Sequence, residues 1–180
     1  MNTRPSKRTK SWIREWVETI VIALILALII RTFIIQVFYI PSGSMEPTLN
    51  VRDRIIVNKF IYRFRDPKRF EILVFKYPYP KPGEPRKDFI KRVIGLPGET
   101  IYIRDGVVYI NGEKVFGEHP MKKDVSDYGP LEIPDDGYFV MGDNRPNSAD
   151  SRVWGYLPRK FIIGPAIIRI WPLTRFGLLQ

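Results

Sequence analysis

The chain has no cysteine and a single histidine, His119. The first absence removes disulfides, thiolate nucleophiles and cysteine-ligated metal sites, and it neither implies nor excludes an oxidising compartment. The second narrows hydrolytic chemistry, because zinc hydrolases and Ser-His-Asp enzymes place imidazole at the centre of their reactions. A hydrolytic mechanism here has to run without imidazole, and His119, set in Gly-Glu-His-Pro, reads as a loop residue rather than a ligand. Acidic residues are in the minority: 19 Asp and Glu against 29 Lys and Arg leave a formal charge of +10. No basic helix or stripe gathers that charge, which argues against a nucleic-acid partner. Five basic residues, Arg4, Lys7, Arg8, Lys10 and Arg14, instead precede the first long apolar run, a placement that points to a membrane surface.

What is present suffices for one core. A chain of 180 residues, 44% hydrophobic and 13% aromatic, accommodates one domain plus a short appendage and gives no case for general disorder. Val17 to Phe38 reads VETIVIALILALIIRTFIIQVF, whose uninterrupted apolar stretch, Ile20 to Ile30, is too short to span a bilayer alone. Counted from the Trp12/Trp16 pair, which suits an interfacial belt, to Phe38, the segment gives about 22 residues or roughly 33 Å of helix, enough to cross. Arg31 then lies near the far end, where a long basic side chain snorkels to the headgroups. No small-residue cleavage site follows the run, so it reads as an uncleaved anchor rather than a signal peptide. Lys and Arg are absent from Val37 to Val51 and dense before Trp16, which puts the N-terminus in the cytoplasm. The expected organisation is a basic cytoplasmic tail at 1–15, an anchor at 16–38 running into the first strand, and an extracytoplasmic domain at 39–180.

Beyond the anchor, sustained 3.6-residue periodicity is scarce and short β-rich runs alternate with turn signals. Strands are expected at Phe33–Ile40, Arg54–Lys59, Glu71–Phe75, Phe89–Ile94, Thr100–Arg104, Val107–Ile110, Tyr138–Met141 and Ala166–Trp171. Asp105-Gly106 and Asn111-Gly112 supply hairpin turns. The pattern predicts a mainly β fold, an antiparallel sheet folded over or barrel-like, behind one N-terminal transmembrane helix. Pro78, Pro80, Pro82, Gly83 and Pro85 mark a surface loop between Tyr77 and Lys87, and Phe116 to Asp136 reads as irregular and polar. The tail with Trp171, Pro172, Phe176, Leu178 and Leu179 suits either capping the core or resting on lipid.

Three segments carry chemistry. In Pro41-Ser42-Gly43-Ser44-Met45-Glu46-Pro47-Thr48 the residues are those of an ordinary turn, yet the same turn exposes Ser44 as a nucleophile and Gly43 allows close approach of a substrate carbonyl. In Lys87 to Gly95, strand alternation puts Phe89, Lys91 and Val93 on one face. Lys91 is then either an edge-strand lysine that discourages aggregation or a buried amine whose pKa falls toward neutrality and makes it a general base. Arg92 has the same periodicity, but a guanidinium does not give up its proton. Gly142 to Arg152, GDNRPNSADSR, is dense in side chains that bond their own backbone. It allows ion pairs of Asp143 or Asp150 with Arg145 or Arg152 that stiffen a loop.

Taken together, PSGSMEPTL at 41–49, DFIKRVIGLPGE at 88–99 and GDNRPNSADSR at 142–152, in that order behind an anchor, resemble the bacterial type I signal peptidases. VRDRIIVNKF at 51–60 and WGYLPRKFIIGPAIIRIWP at 154–172 also fit, and a single anchor is similar to the shorter members. The resemblance implies a mostly β catalytic domain in a cell membrane and a Ser/Lys dyad, with Ser44 as acylated nucleophile and Lys91 as general base. It further implies Ser42 at the oxyanion, Ser148 holding Lys91 by a hydrogen bond, Asp150 and Arg152 in support, and neither metal nor cofactor. Implied partners are signal-peptide-bearing precursors, cut after small residues at Ala-x-Ala type sites, and the lipid bilayer; the oligomeric state is left open. Self-cleaving repressors also use serine and lysine on a β fold, but no helix-turn-helix precedes the β region here. A catalytically silent, membrane-anchored binding member of the same family is the remaining alternative, opposed by the presence of Ser44 and Lys91.

Overall fold

The computed structural model describes residues 7–115, 117 and 119–179, with side chains from Trp12 onward. Helix α1 runs Lys7–Ile29 and widens into a π-type turn at Ile30–Ile34. Residues Trp12–Ile34 form an apolar helix of 23 residues, long enough to cross a membrane by length and composition, and its most apolar stretch buries nothing against the rest of the protein. The helix passes directly into strand β1, Ile35–Tyr39. The strand therefore starts two residues later than the sequence suggested. The Ile35 amide still closes the wide turn on the Ile30 carbonyl, and Lys59 donates to the Thr32 carbonyl at 2.5 Å.

The remaining strands are β2 Arg54–Asn58, β3 Ile72–Lys76, β4 Asp88–Gly95, β5 Thr100–Arg104, β6 Val107–Ile110, β7 Glu113–Lys114, β8 Tyr128–Glu132, β9 Gly137–Met141, β10 Leu157–Pro158, β11 Ile162–Trp171 and β12 Gly177–Leu178. Among the described residues one short α-helix, α2, lies beyond α1 and spans Ser151–Trp154. The larger sheet has the order β1-β2-β11-β3-β4-β9-β10, with β12 on β11, and the smaller one runs β7-β6-β5-β8. Among the described residues all the pairings between these strands are antiparallel. Register shifts in β11 at 162/164, 166/168 and 169/171 let it pair with β2, β3 and β12 and bend the sheet, as bulges do. The expected class, mainly antiparallel β folded over on itself with one apolar N-terminal helix, is what the chain adopts.

Local chemistry accounts for the turns. Asp105-Gly106 and Asn111-Gly112 both have positive φ at their two residues, 50° and 73°, then 52° and 87°, the conformation that two-residue hairpins demand. The proline-rich loop joins β3 to β4 and is closed by the Tyr77 amide on the Lys87 carbonyl at 2.8 Å. Tyr128–Glu132, inside the stretch expected to be irregular, is strand β8: pairing with β5 overrides a segment that contains Gly129-Pro130. At the C-terminus Leu179 packs against the core, while Trp171, Leu173, Phe176 and Leu178 remain exposed.

Candidate active site

Ser44 sits in a tight turn, Gly43–Met45, that leaves β1. Its neighbours fix it: Met45 and Leu49 are fully buried in the cluster of Ile40, Ile55, Val57 and Ile90, and the Leu49 amide bonds the Met45 carbonyl at 2.9 Å. Burying two such side chains contributes roughly 1.5–3 kcal/mol each. The turn is also tied from above. Asn144 donates its backbone N–H to the Ser44 carbonyl at 3.1 Å and its side-chain amide to the Gly43 carbonyl at 2.9 Å. Gly142 makes this approach possible, since a Cβ there would lie 2.4 Å from the Ser44 carbonyl oxygen and 2.3 Å from Ser148 Oγ.

Lys91 lies in β4 opposite Leu73 of β3, with 4% of its surface exposed. Its Nζ is 2.8 Å from Ser44 Oγ and 2.9 Å from the Ile90 carbonyl. The Phe89 ring stands 5.6 Å away, as alternation along the strand requires. Burial pushes the amine down to about 8, against smaller opposing pulls from Asp150 and Asp143, and no carboxylate forms an ion pair with it among the described residues. A neutral amine at hydrogen-bond distance from a hydroxyl is the arrangement a general base needs.

The remaining site residues divide. Ser42 precedes the turn in extended conformation and lines the same cleft as Ser44. The Ser148 hydroxyl makes no hydrogen bond to Lys91; its oxygen is buried without a partner, and the amine spends its second bond on the Ile90 carbonyl. Asp150 is buried and caps α2: it accepts from the Gly142 amide at 3.0 Å and from Arg152 Nε and Nη2 at 2.9 and 3.0 Å. Arg152 continues to Ser126, to Asp124 and to the Arg145 carbonyl. Of the ion pairs considered within 142–152, Asp150–Arg152 forms, whereas Asp143 turns to Arg92, which grips it through Nε and Nη2 at 2.9 and 2.7 Å with both side chains 1% exposed.

Arg92, Thr48 and Asn144 are therefore site-building residues that sequence reasoning passed over. One signal was available for Arg92: a guanidinium between Ile90 and Ile94 on a buried strand needs a carboxylate. Thr48 completes this layer by donating its hydroxyl to Asp143 Oδ2 at 2.5 Å.

Pro41, Ser42, Phe89, Ile90 and Ala149 help line an open cleft of about 610 Å³ at whose floor Ser44 and Lys91 meet. A separate cavity of about 300 Å³, beside Phe70, Val108 and His119, holds neither of them. The His119 ring nitrogens are buried there without a hydrogen-bond partner, Nε2 standing 3.9 Å from Asp143 Oδ1; burial and the Arg92 charge push the imidazole down to about 4, so it is neutral at ordinary pH. Among the described residues no group of His, Asp and Glu is arranged to hold a metal ion.

Residues 13–171 match the family model described as signal peptidase, peptidase S26. A protein named probable signal peptidase I-2 from Synechocystis sp. is 47% identical over 154 residues, covering 83% of this chain and 69% of its own length. Signal peptidase I P of Bacillus subtilis subsp. natto is 40% identical over 182 residues, 94% of this chain and 95% of its own. A solved signal peptidase I from Enterococcus faecalis V583 is 32% identical and covers 56% of this chain and 97% of that one, with a TM-score of 0.47. With a matched region that takes in the apolar helix, the Ser44 turn, Lys91 and the 142–152 loop, the chain belongs to the signal peptidase family, peptidase S26.

Proposed function

We propose that this protein removes N-terminal signal peptides from exported precursors with Ser44 as nucleophile and Lys91 as general base. The observation that carries the reading is the 2.8 Å contact between Ser44 Oγ and a buried Lys91 amine that has no ion-pair partner among the described residues. With the amine at about 8, roughly one enzyme in ten holds it neutral at pH 7, against about one in three thousand for an unshifted lysine.

The neutral amine takes the Ser44 proton as Oγ attacks the scissile carbonyl. The carbonyl oxygen becomes an oxyanion, for which the first amides of the Gly43–Met45 turn supply donors, since such amides have no acceptor within the turn. The Ser42 hydroxyl, at the same edge of the cleft, is the second donor. Collapse expels the leaving amine, which receives the proton from Lys91, and leaves an acyl ester on Ser44. Water, deprotonated by the same amine, then hydrolyses the ester and restores the serine. Asp150 and Arg152 act by bracing Gly142, whose loop carries the carbonyl contacts of Ser44.

For specificity, an extended peptide pairing beside Asp88–Ile90 sends alternate side chains toward Pro41, Phe89, Ile90 and Ala149, a shallow apolar wall that suits small residues and hence Ala-x-Ala sites. Residues 1–15 then lie in the cytoplasm, 16–38 anchor the chain, and 39–180 act outside, with the lipid bilayer and precursors as partners and no nucleic acid. Incubation of detergent-solubilised protein with an Ala-x-Ala precursor, with the cut located by mass spectrometry, tests the reading. Cleavage after the second Ala, lost in a folded Ser44→Ala protein, is expected; activity retained by that variant overturns the assignment.

A further inference from the structure

The C-terminal turn, 127 residues from Thr48 in sequence, reaches the loop that carries Ser44. Residues Leu173–Arg175 form a tight turn between β11 and β12. From it Arg175 sends Nη1 to both carboxylate oxygens of Asp53, at 3.2 and 3.0 Å, and Nη2 to the carbonyls of Pro47 and Thr48, both at 3.2 Å. Arg169 of β11 adds a bond from Nη1 to the Thr48 carbonyl at 2.8 Å and holds the Arg175 carbonyl through Nε at 2.5 Å. Asp53 is 2% exposed, and its carboxylate also accepts from the Asn50 amide at 2.9 Å.

Thr48 is the point where this system meets the candidate active site. Its carbonyl is gripped by the two arginines, and its hydroxyl bonds the Asp143 carboxylate that Arg92 holds beside Lys91. Asp143 in turn precedes Asn144, whose two donors hold the Ser44 and Gly43 carbonyls. One residue thus has its backbone fixed by the C-terminal turn and its side chain fixed to the loop that frames the serine.

We propose that Arg175, through Asp53 and Thr48, is a positioning residue for the Ser44 turn: the C-terminal β11–β12 turn works as a latch that sets the nucleophile against Lys91. The fork geometry of guanidinium is what the latch needs. Only a planar group with donors on two ends satisfies the Asp53 carboxylate and two neighbouring carbonyls together; a lysine ammonium keeps the charge opposite Asp53 and loses the fork. The latch rests on the assignment of Ser44 as nucleophile for its consequence in turnover, but not for its structural content.

The test uses full-length protein in detergent, as wild type, Arg175→Lys and Arg175→Gln. Hydrogen exchange followed by mass spectrometry is read for peptides covering 43–49, 142–145 and 100–110, and precursor cleavage is measured in parallel. In both variants exchange in 43–49 and 142–145 rises at least tenfold while 100–110, in the other sheet, stays at the wild-type rate. kcat falls at least fivefold for Arg175→Lys and more for Arg175→Gln, with KM within a factor of two. A purely structural arginine raises exchange in all three regions together, and that outcome overturns the proposal, as does unchanged exchange in 43–49. Should Arg175→Gln not fold, Arg175→Lys, which keeps the Asp53 pair, decides by the same criteria. If the exchange pattern appears while wild-type protein cuts no precursor, the latch stands and the peptidase reading falls.

Discussion

Replacing Lys91 with methionine removes a buried amine while conserving most of its length and volume, and its effect on stability changes sign with pH. Because burial lowers the folded-state pKa from 10.5 to about 8, the unfolded chain binds the proton more readily. Stability of the wild type therefore rises as pH climbs from about 8 to 10.5, and below 8 the full penalty of burying an ammonium applies. That penalty is about 3 kcal/mol at 1.36 kcal/mol per pKa unit. Against it stand the hydrogen bonds of Nζ to Ser44 Oγ and the Ile90 carbonyl, about 1 kcal/mol each, which methionine loses. At pH 7 the variant is thus more stable by about 1 kcal/mol, or roughly 2–4 °C in Tm for a chain of this size. Near pH 10 the residual penalty is under about 1 kcal/mol and the order inverts, with the wild type ahead by a similar margin. Thermal unfolding of both proteins in the same detergent, scanned from pH 6.5 to 10.5, measures the difference with all other titrations cancelled. A variant less stable than wild type at pH 7, with a gap that does not move with pH, refutes the claim that burial lowers the Lys91 pKa toward neutrality.

Other outcomes follow from the same contacts. The pH profile of kcat/KM should climb about tenfold per unit below pH 8 and level above it, since only the neutral amine accepts a proton, and His119, at about 4, should add no limb above pH 5. Gly142→Ala drives a methyl group into Ser148 Oγ and the Ser44 carbonyl, so a loss of about a hundredfold in kcat is expected while the circular-dichroism spectrum is kept. Asp143→Asn leaves Arg92 buried without its counter-charge; breaking such a pair costs about 3–5 kcal/mol, to be read as a fall in denaturation midpoint at unchanged m-value.

The sequence made eight of the β elements and the segments that carry Ser44 and Lys91 legible because these depend on local patterns. Alternation puts Phe89, Lys91 and Val93 on one face but left an edge-strand and a buried lysine both open, a choice the fold makes by burying Lys91, and Asp105-Gly106 and Asn111-Gly112 fix hairpins by their own backbone preferences. Strand β8 was hidden because its Gly129-Pro130 resembles a turn and only β5 makes it a strand. The same limit applies to the layer under the site. Asp143 has local arginines within reach in sequence, yet its partner is Arg92, 51 residues away, across the β4–β9 pairing. Arg175 meets Thr48 across 127 residues. Long-range pairing of charged groups is decided by sheet register, and register is set by which faces bury together, not by spacing along the chain.

The role of Lys91 as the base admits a direct test with precursor cleavage by Lys91→Arg, measured at pH 8 on protein shown to be folded. Arginine keeps the positive charge and the length but stays protonated, so it neither accepts the Ser44 proton nor returns one that Ser44 gave up. Loss of turnover by a factor of about 10² to 10⁴, the usual contribution of a positioned base, is the predicted result. Turnover within a few-fold of wild type contradicts it and reduces Lys91 to an electrostatic neighbour of Ser44.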